Sequence, residues 1–243
     1  MKTKIVLDTN IWIYLTKNTF YGLFNKLKGM AVYEDVEIIV NDIIILEWER
    51  NKLTTINNLV TSIKDEYNSA LKLVNYLDID NKEDYLKIIS KYNIEESRIE
   101  MAKKRVNEVE SFMKSCTVIR TTEEQKLFVS KLAIENKPPF QKNKNNFNDA
   151  LIIRNICENT AVNIPMKYDL IYVSNNPSDF IDKETDEIYN TLTEGINSIN
   201  IKNVKELGHA LHLAPELMEN FDEWLDTQLD NQAMDYLDLI RGK

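Results

Sequence analysis

Lys4-Ile5-Val6-Leu7-Asp8-Thr9-Asn10 is the stretch whose reading decides the fold. A short β-rich apolar run stops abruptly at an aspartate, and Thr9-Asn10 lead into a second apolar stretch, Ile11 to Leu15. The pattern predicts a buried first strand that delivers a carboxylate to the end of a sheet, where a helix begins. In open α/β sheets the crevice beyond the carboxyl ends of the strands is where ligands bind. A charge at the end of an apolar strand is costly to desolvate unless something pairs with it. Asp8 alone could be no more than a helix cap. Three further acids at strand and helix junctions downstream make it a candidate site residue.

Of the 243 residues, 43% are hydrophobic, enough for one large domain, or one domain with a sizeable helical insertion, over 1–243. With only five Gly and five Pro, the long Lys/Glu/Leu/Ile/Asn-rich segments point to a helix-heavy protein. The net charge of −9 argues against a binder that holds nucleic acid over its whole surface. It leaves room for a local basic track around an acidic metal site. Cys116 and Cys157 offer no disulfide framework and fit a reducing cytoplasm. Lys2 and Lys4 precede an apolar run, but Asp8 and Asn10 interrupt it and no small-residue cleavage site follows, which argues against a signal peptide. No run approaches the roughly 18 apolar residues of a bilayer span. The expectation is a soluble, cytoplasmic protein without membrane contact.

Working outward, Glu37-Ile38-Ile39-Val40 predicts a second strand, with Asn41-Asp42 as the N-cap pair of a helix running through Ile43-Ile44-Ile45-Leu46 to Glu47-Trp48-Glu49-Arg50. From about Thr55 to Cys116 the spacing is helical, with Leu59, Ile63, Tyr67, Ala70, Leu71, Val74 and Leu77 three or four residues apart. A second helix is expected around Arg98 to Met113. This strand-free block reads as an inserted helical hairpin. Thr117 to Arg120 is either a short extended segment or a loop. Thr121-Thr122-Glu123-Glu124 offers a capping box for a helix ending near Glu135. Asn136 to Phe147 is a locally basic loop, after which Asn148-Asp149 caps an apolar helix, Ala150 to Ile156. Asp169 to Val173 predicts a third strand, followed by the turn Ser174 to Phe180. The remainder, 185–243, is acidic and largely helical, with a short strand near Ile199 to Ile201.

Four acids therefore stand at comparable places: Asp8, Glu47, Asp149 and Asp179. In a parallel sheet with crossover helices such positions lie near one edge. Converging carboxylates repel one another, with their pKa values driven up, unless cations neutralise them. Hard divalent cations, Mg²⁺ or Mn²⁺, prefer oxygen ligands. A bound cation acidifies a coordinated water and stabilises charge building on a phosphodiester.

Taken in order, Asp8-Thr9-Asn10, Asn41-x-x-x-x-x-Glu47-Trp48, Asn148-Asp149-Ala150-Leu151-Ile152 and Val173-Ser174-x-Asn176-x-x-Asp179-Phe180 resemble the four motifs of PIN-domain ribonucleases. The resemblance spans Lys4 to about Phe180 and is closest to the larger PIN-like domains with a helical insertion. It implies a three-layer α/β/α fold with a mostly parallel sheet. It also implies a metal-dependent endoribonuclease acting on single-stranded or structured RNA, of the kind used as toxins, in defence or in RNA processing. The first three acids of the family bind metal, which implies that role for Asp8, Glu47 and Asp149. In the fourth motif Asn176 stands where the family commonly has Asp, so either Asp179 or Asn176 completes the ligand and catalytic set.

For substrate, the residues singled out are Asn10, Arg50, Ser174 and Asn176 near the acids, and Lys142 and Lys144 in the loop before Asp149. Lys137 belongs to the same basic rim, and Lys103, Lys104 and Arg105 form a second basic stretch. RNA is the expected partner; a homodimer and a protein inhibitor or regulator are further partners that such a protein could have. His209 and His212, Trp12, Trp48 and Trp224, and Cys157 read as structural. Haloacid-dehalogenase phosphatases also begin with strand-Asp, but their chemistry needs a second Asp two residues on, where Asn10 stands. The remaining alternative is a catalytically degenerate PIN-like scaffold that binds a basic partner through its acidic C-terminal helices (Glu216, Glu219, Asp222, Glu223, Asp226, Asp230).

Overall fold

The computed structural model describes residues 3–32, 36–76, 79–142, 146–160, 170–176, 180–182, 184–185, 187–196 and 201–214, without the side chains of 79–81, 142 and 160. Asp179, Lys144, Trp224, Asp169 and the acidic segment beyond 214 lie outside the described residues.

The first strand, β1 (Thr3–Leu7), buries Ile5, Val6 and Leu7 completely. Burial on both faces is the signature of a central strand in a covered parallel sheet. Asp8 ends it and α1 (Thr9–Leu15) follows, then α2 (Tyr21–Val32) and β2 (Val36–Asn41). The long helix α3 (Asp42–Leu73), α4 (Ile79–Ser90) and α5 (Glu95–Ser115) lead to β3 (Thr117–Ile119). Next come α6 (Glu123–Ile134), α7 (Phe147–Thr160), β4 (Leu170–Val173), α8 (Asn190–Thr193), β5 (Ile201–Val204) and α9 (Leu207–Leu213).

All pairings in the five-stranded sheet are parallel, in the order β3-β2-β1-β4-β5. The chain leaves β1 toward β2 and β3, then crosses to β4 and β5 on the other side. Right-handed crossovers running in opposite directions put their helices on opposite faces. Accordingly α2 packs on β2 and α9 on β4 and β5 at one face, while α7 packs on β2 and β3 at the other. Phe112 of α5 sets its ring against Phe24 and Trp12 on the α2 side. This is a three-layer α/β/α fold. Among the described residues no helix is long and apolar enough to cross a membrane.

Several local outcomes differ from the sequence reading or complete it. Helix α3 is continuous for 32 residues, so the helical block grows out of the helix that bears Glu47 instead of starting afresh at Thr55. No Gly or Pro interrupts 42–73, and Asn41 caps its start by accepting from the Ile43 N–H at 2.8 Å. Thr117–Ile119 is a strand, paired with Ile39 to Asn41 at the sheet edge. Asn148 and Asp149 do not cap α7, because Ala150 N already donates to the carbonyl of Asn146 and the helix has begun. The capping box before α6 is formed, by Thr122 and Gln125. Trp12 and Trp48 are core residues, and burial pushes the Cys157 thiol up to about 12, as befits an inert apolar packing group. His209 and His212 face solvent on α9.

Candidate metal centre

The switch point of the sheet lies between β1 and β4, where the chain's direction of progress across the sheet reverses. Asp8 and Ser174 are the first residues beyond these two strands. Asp8 N donates to the carbonyl of Val173 at 2.9 Å, and Ser174 Oγ donates to Asp8 Oδ2 at 2.9 Å. Asp8 occupies the N-cap position of α1, yet its side chain makes no capping hydrogen bond. Its carboxylate serves the switch point instead.

Glu47 joins this point from α3. Its Oε2 accepts from Thr9 Oγ1 at 2.6 Å and its Oε1 from Asn148 Nδ2 at 2.7 Å. Thr9 is the chain neighbour of Asp8, and Asn148 that of Asp149. One carboxylate thus ties together the two helix starts that bear the other two acids. Asp149 sits half-buried in the first turn of α7, where the partial positive charge of the helix end favours an anion.

Tyr172, fully buried in β4, registers the convergence electrically. Burial, then the negative charges of Asp8, Asp149 and Glu47, hold its phenol well above the ordinary range, with a small opposing contribution from the Ser174 hydroxyl. Its hydroxyl has no well-aligned hydrogen-bond partner among the described residues. Phenol and acids share one poorly solvated corner. As they stand, no three His, Cys, Asp or Glu side chains among the described residues are disposed to hold a metal ion. Asp8 and Glu47 are turned toward hydroxyl and amide donors of the protein.

The other residues singled out fall in three places. Asn10 is exposed in the first turn of α1, and Arg50 is exposed on α3 one turn beyond Glu47. Ser174 is only 1% exposed; its hydroxyl donates to Asp8 and accepts from Asn176 N at 3.2 Å, so it sits behind Asp8. Asn176 is exposed at the strand's end. Lys142 closes a single turn of 3-10 helix, and Lys137 in the same loop is ion-paired with Glu135 at 2.7 Å. Arg105 belongs to the interior, not to a basic rim: its guanidinium donates to the carbonyl of Leu15 and to Glu108.

Thr9, Asn148 and Tyr172 carried no site role in the sequence reading. A tyrosine in an otherwise aliphatic strand that ends at the site is a signal that could have flagged Tyr172. Thr9 and Asn148 gave none beyond adjacency to acids.

No curated protein and no solved structure matches the chain. Residues 5–180, which include every element that builds this corner, match the PIN domain family. PIN domains are in general nucleases, and with its all-parallel sheet and its acids gathered at the switch point, this chain belongs to the PIN-domain family.

Proposed function

We propose that the protein is a divalent-metal-dependent endoribonuclease that hydrolyses phosphodiester bonds of RNA, with Asp8, Glu47 and Asp149 as its metal ligands. The observation that carries this reading is the double hydrogen bond of Glu47 to the neighbours of the other two acids. The donor set is all oxygen, which suits Mg²⁺ or Mn²⁺. Thr9 and Asn148 on Glu47 and Ser174 on Asp8 are neutral donors, so a cation can take over these carboxylate oxygens from them at little electrostatic cost. Asp179 or Asn176 completes the set.

When bound, such a cation lowers the pKa of a coordinated water and offsets charge developing on the phosphate. The chain's own residues orient and exclude. Thr9 and Asn148 aim Glu47, and Ser174 aims Asp8. Tyr172 keeps the rear of the corner dry and, with its proton held tightly, adds no negative charge. Asn10 and Arg50, exposed beside the acids, are placed to contact the RNA. The two free thiols fit a cytoplasmic setting.

Thermal melting with and without Mn²⁺, paired with cleavage of a labelled single-stranded RNA, tests the reading. Metal should raise the melting temperature of the wild type by mass action and support cleavage. In Asp8→Asn both effects should be lost. Equal metal stabilisation of wild type and Asp8→Asn would sink the assignment.

A further inference from the structure

Beyond the acids, α1 and α3 run side by side in the same direction. Thr9 meets Glu47 at the catalytic end, and Thr16 and Thr55, seven and eight residues further on, wall one cavity. This cavity of about 550 Å³ therefore lies on the α1–α3 side of the acids, with Thr55 roughly 12 Å along α3 from Glu47. A second cavity, also about 550 Å³, adjoins it, and the two share Thr16, Asn18, Leu59, Ser62 and Glu66. Tyr21 from α2, Tyr67 from α3 and Tyr92 from the α4–α5 connection line the second cavity. It lies where the helical block meets the α/β body.

We propose that this double cavity receives an unstacked base of the RNA, a few nucleotides from the phosphate held at the acids. The inference rests on the nuclease reading and names where that substrate is gripped. Each cavity falls in the size range of small-ligand sites. Tyrosine rings offer a π-face to any base, and stacking works without long-range attraction, which a chain of net charge −9 cannot supply to a polyanion. Glu66 in the shared wall repels a phosphate, so the base enters and the backbone stays outside. Lys17 lines the first cavity and is exposed, its ammonium 4.6 Å over the Tyr14 ring, which stacks on Phe20. It is the cation placed to hold a neighbouring phosphate. The second cavity is firmly walled. The Arg105 guanidinium stands 4.6 Å from both the Tyr21 and Phe24 rings while bonded to Leu15 and Glu108, so Tyr21 is held in place.

The test titrates labelled single-stranded oligoadenylates of increasing length against the full chain by anisotropy, with Ca²⁺ in place of Mg²⁺ so that the phosphate is still held while cutting is suppressed. Wild type should gain affinity in a step once the oligomer reaches the cavity. Ser62→Trp, at an exposed helix position in the wall shared by the two cavities, should plug it and remove the step. Tyr67→Ala should weaken binding of the longer oligomers about tenfold, and Tyr67→Phe, which keeps the ring, should stay within about twofold. Short oligomers should bind all variants alike. Unchanged binding of long oligomers by Ser62→Trp, with wild-type melting behaviour, overturns the base-binding role, as does a Tyr67→Phe loss as large as that of Tyr67→Ala. Failure of the nuclease reading looks different: the length step is present and sensitive to Ser62→Trp, but added Mg²⁺ or Mn²⁺ produces no cleavage.

Discussion

Asn41 Nδ2 donates to Asn155 Oδ1 over 2.6 Å with both side chains sealed from solvent, and this contact fastens the end of β2 to the helix that carries Asp149. The same Asn41 caps α3 through its carbonyl oxygen, so one residue sets the start of the Glu47 helix and the position of the Asp149 helix. Asn155 in turn donates to the carbonyl of Arg120 and to Gln125 Oε1. The amides form a closed network beneath the site. In a low-dielectric interior such a network is rigid when complete and costly when broken.

Replacing Asn155 by Leu should cost about 2–4 kcal/mol, because it leaves the buried Asn41 amide only its long 3.4 Å contact with Thr121 Oγ1 and takes the Asn155 donor from the carbonyl of Arg120. Urea unfolding checks this, and Asn159→Leu on the exposed face of the same helix, which loses one hydrogen bond at the surface, should cost under about 1 kcal/mol.

Thr9→Val removes a hydroxyl while keeping the shape of the side chain. Freed from its 2.6 Å contact, Glu47 loses orientation, and cleavage should fall about tenfold with little change in melting temperature. Thr9→Ser should restore most of the rate. Loss of fold in the valine variant, or full activity, would contradict a positioning role.

Each of Asp8→Asn, Glu47→Gln and Asp149→Asn should remove most metal-dependent cleavage. The metal-free proteins should melt at or above the wild-type temperature, since repulsion among the three carboxylates falls. Wild-type cleavage by Asp149→Asn in excess Mg²⁺ would remove Asp149 from the ligand set.

Glu110 on α5 accepts from Lys52 of α3 at 2.6 Å and from Lys114 at 2.8 Å. Burial alone would raise its carboxyl, but the two ammoniums outweigh that and hold it down from 4.5 to about 2. A depressed carboxyl stabilises the fold fully above its unfolded value and loses that contribution as pH falls from about 4.5 toward about 2. Discounted for the half-exposed Lys114, the contribution is about 1–2 kcal/mol. Unfolding of Glu110→Gln followed from about pH 6 to about pH 3 should show a correspondingly shallower acid dependence than wild type.

Changing Lys142 and Lys144 to Ala together should weaken single-stranded RNA binding and flatten the log–log salt dependence by about one unit or slightly more. Metal affinity should barely change. An unaltered salt slope would make the loop a bystander.

What the sequence disclosed and what it hid divide along range. Strand β1, its terminal Asp8 and the helix start at Asn41 are written in consecutive residues, and so were legible. Strand β3 was ambiguous because a three-residue edge strand with Thr117 and Val118 exposed carries no burial pattern. The continuity of α3 was obscured because the helix packs on α1, β2 and α7 as well as on α4 and α5, with α5 already alongside it at Glu49 and Lys52, so no single apolar stripe runs its length. The bonds that aim Glu47 span 38 and 101 residues, and no local pattern encodes them. The acids could be picked out one by one; the hydroxyl and amide that draw their helices together needed the fold.

In mechanical terms α3 is a braced beam. Its 32 residues make a rod of about 48 Å, with Glu47 within two turns of one end and Leu73 at the other. Helix hydrogen bonds resist bending, so a tilt of this rod cannot stay at its tip. Salt bridges of Glu49 with Lys114 and of Lys52 with Glu110 brace this rod against α5 just beyond Glu47, so the arm that carries the carboxylate is clamped on its far side as well as at the sheet.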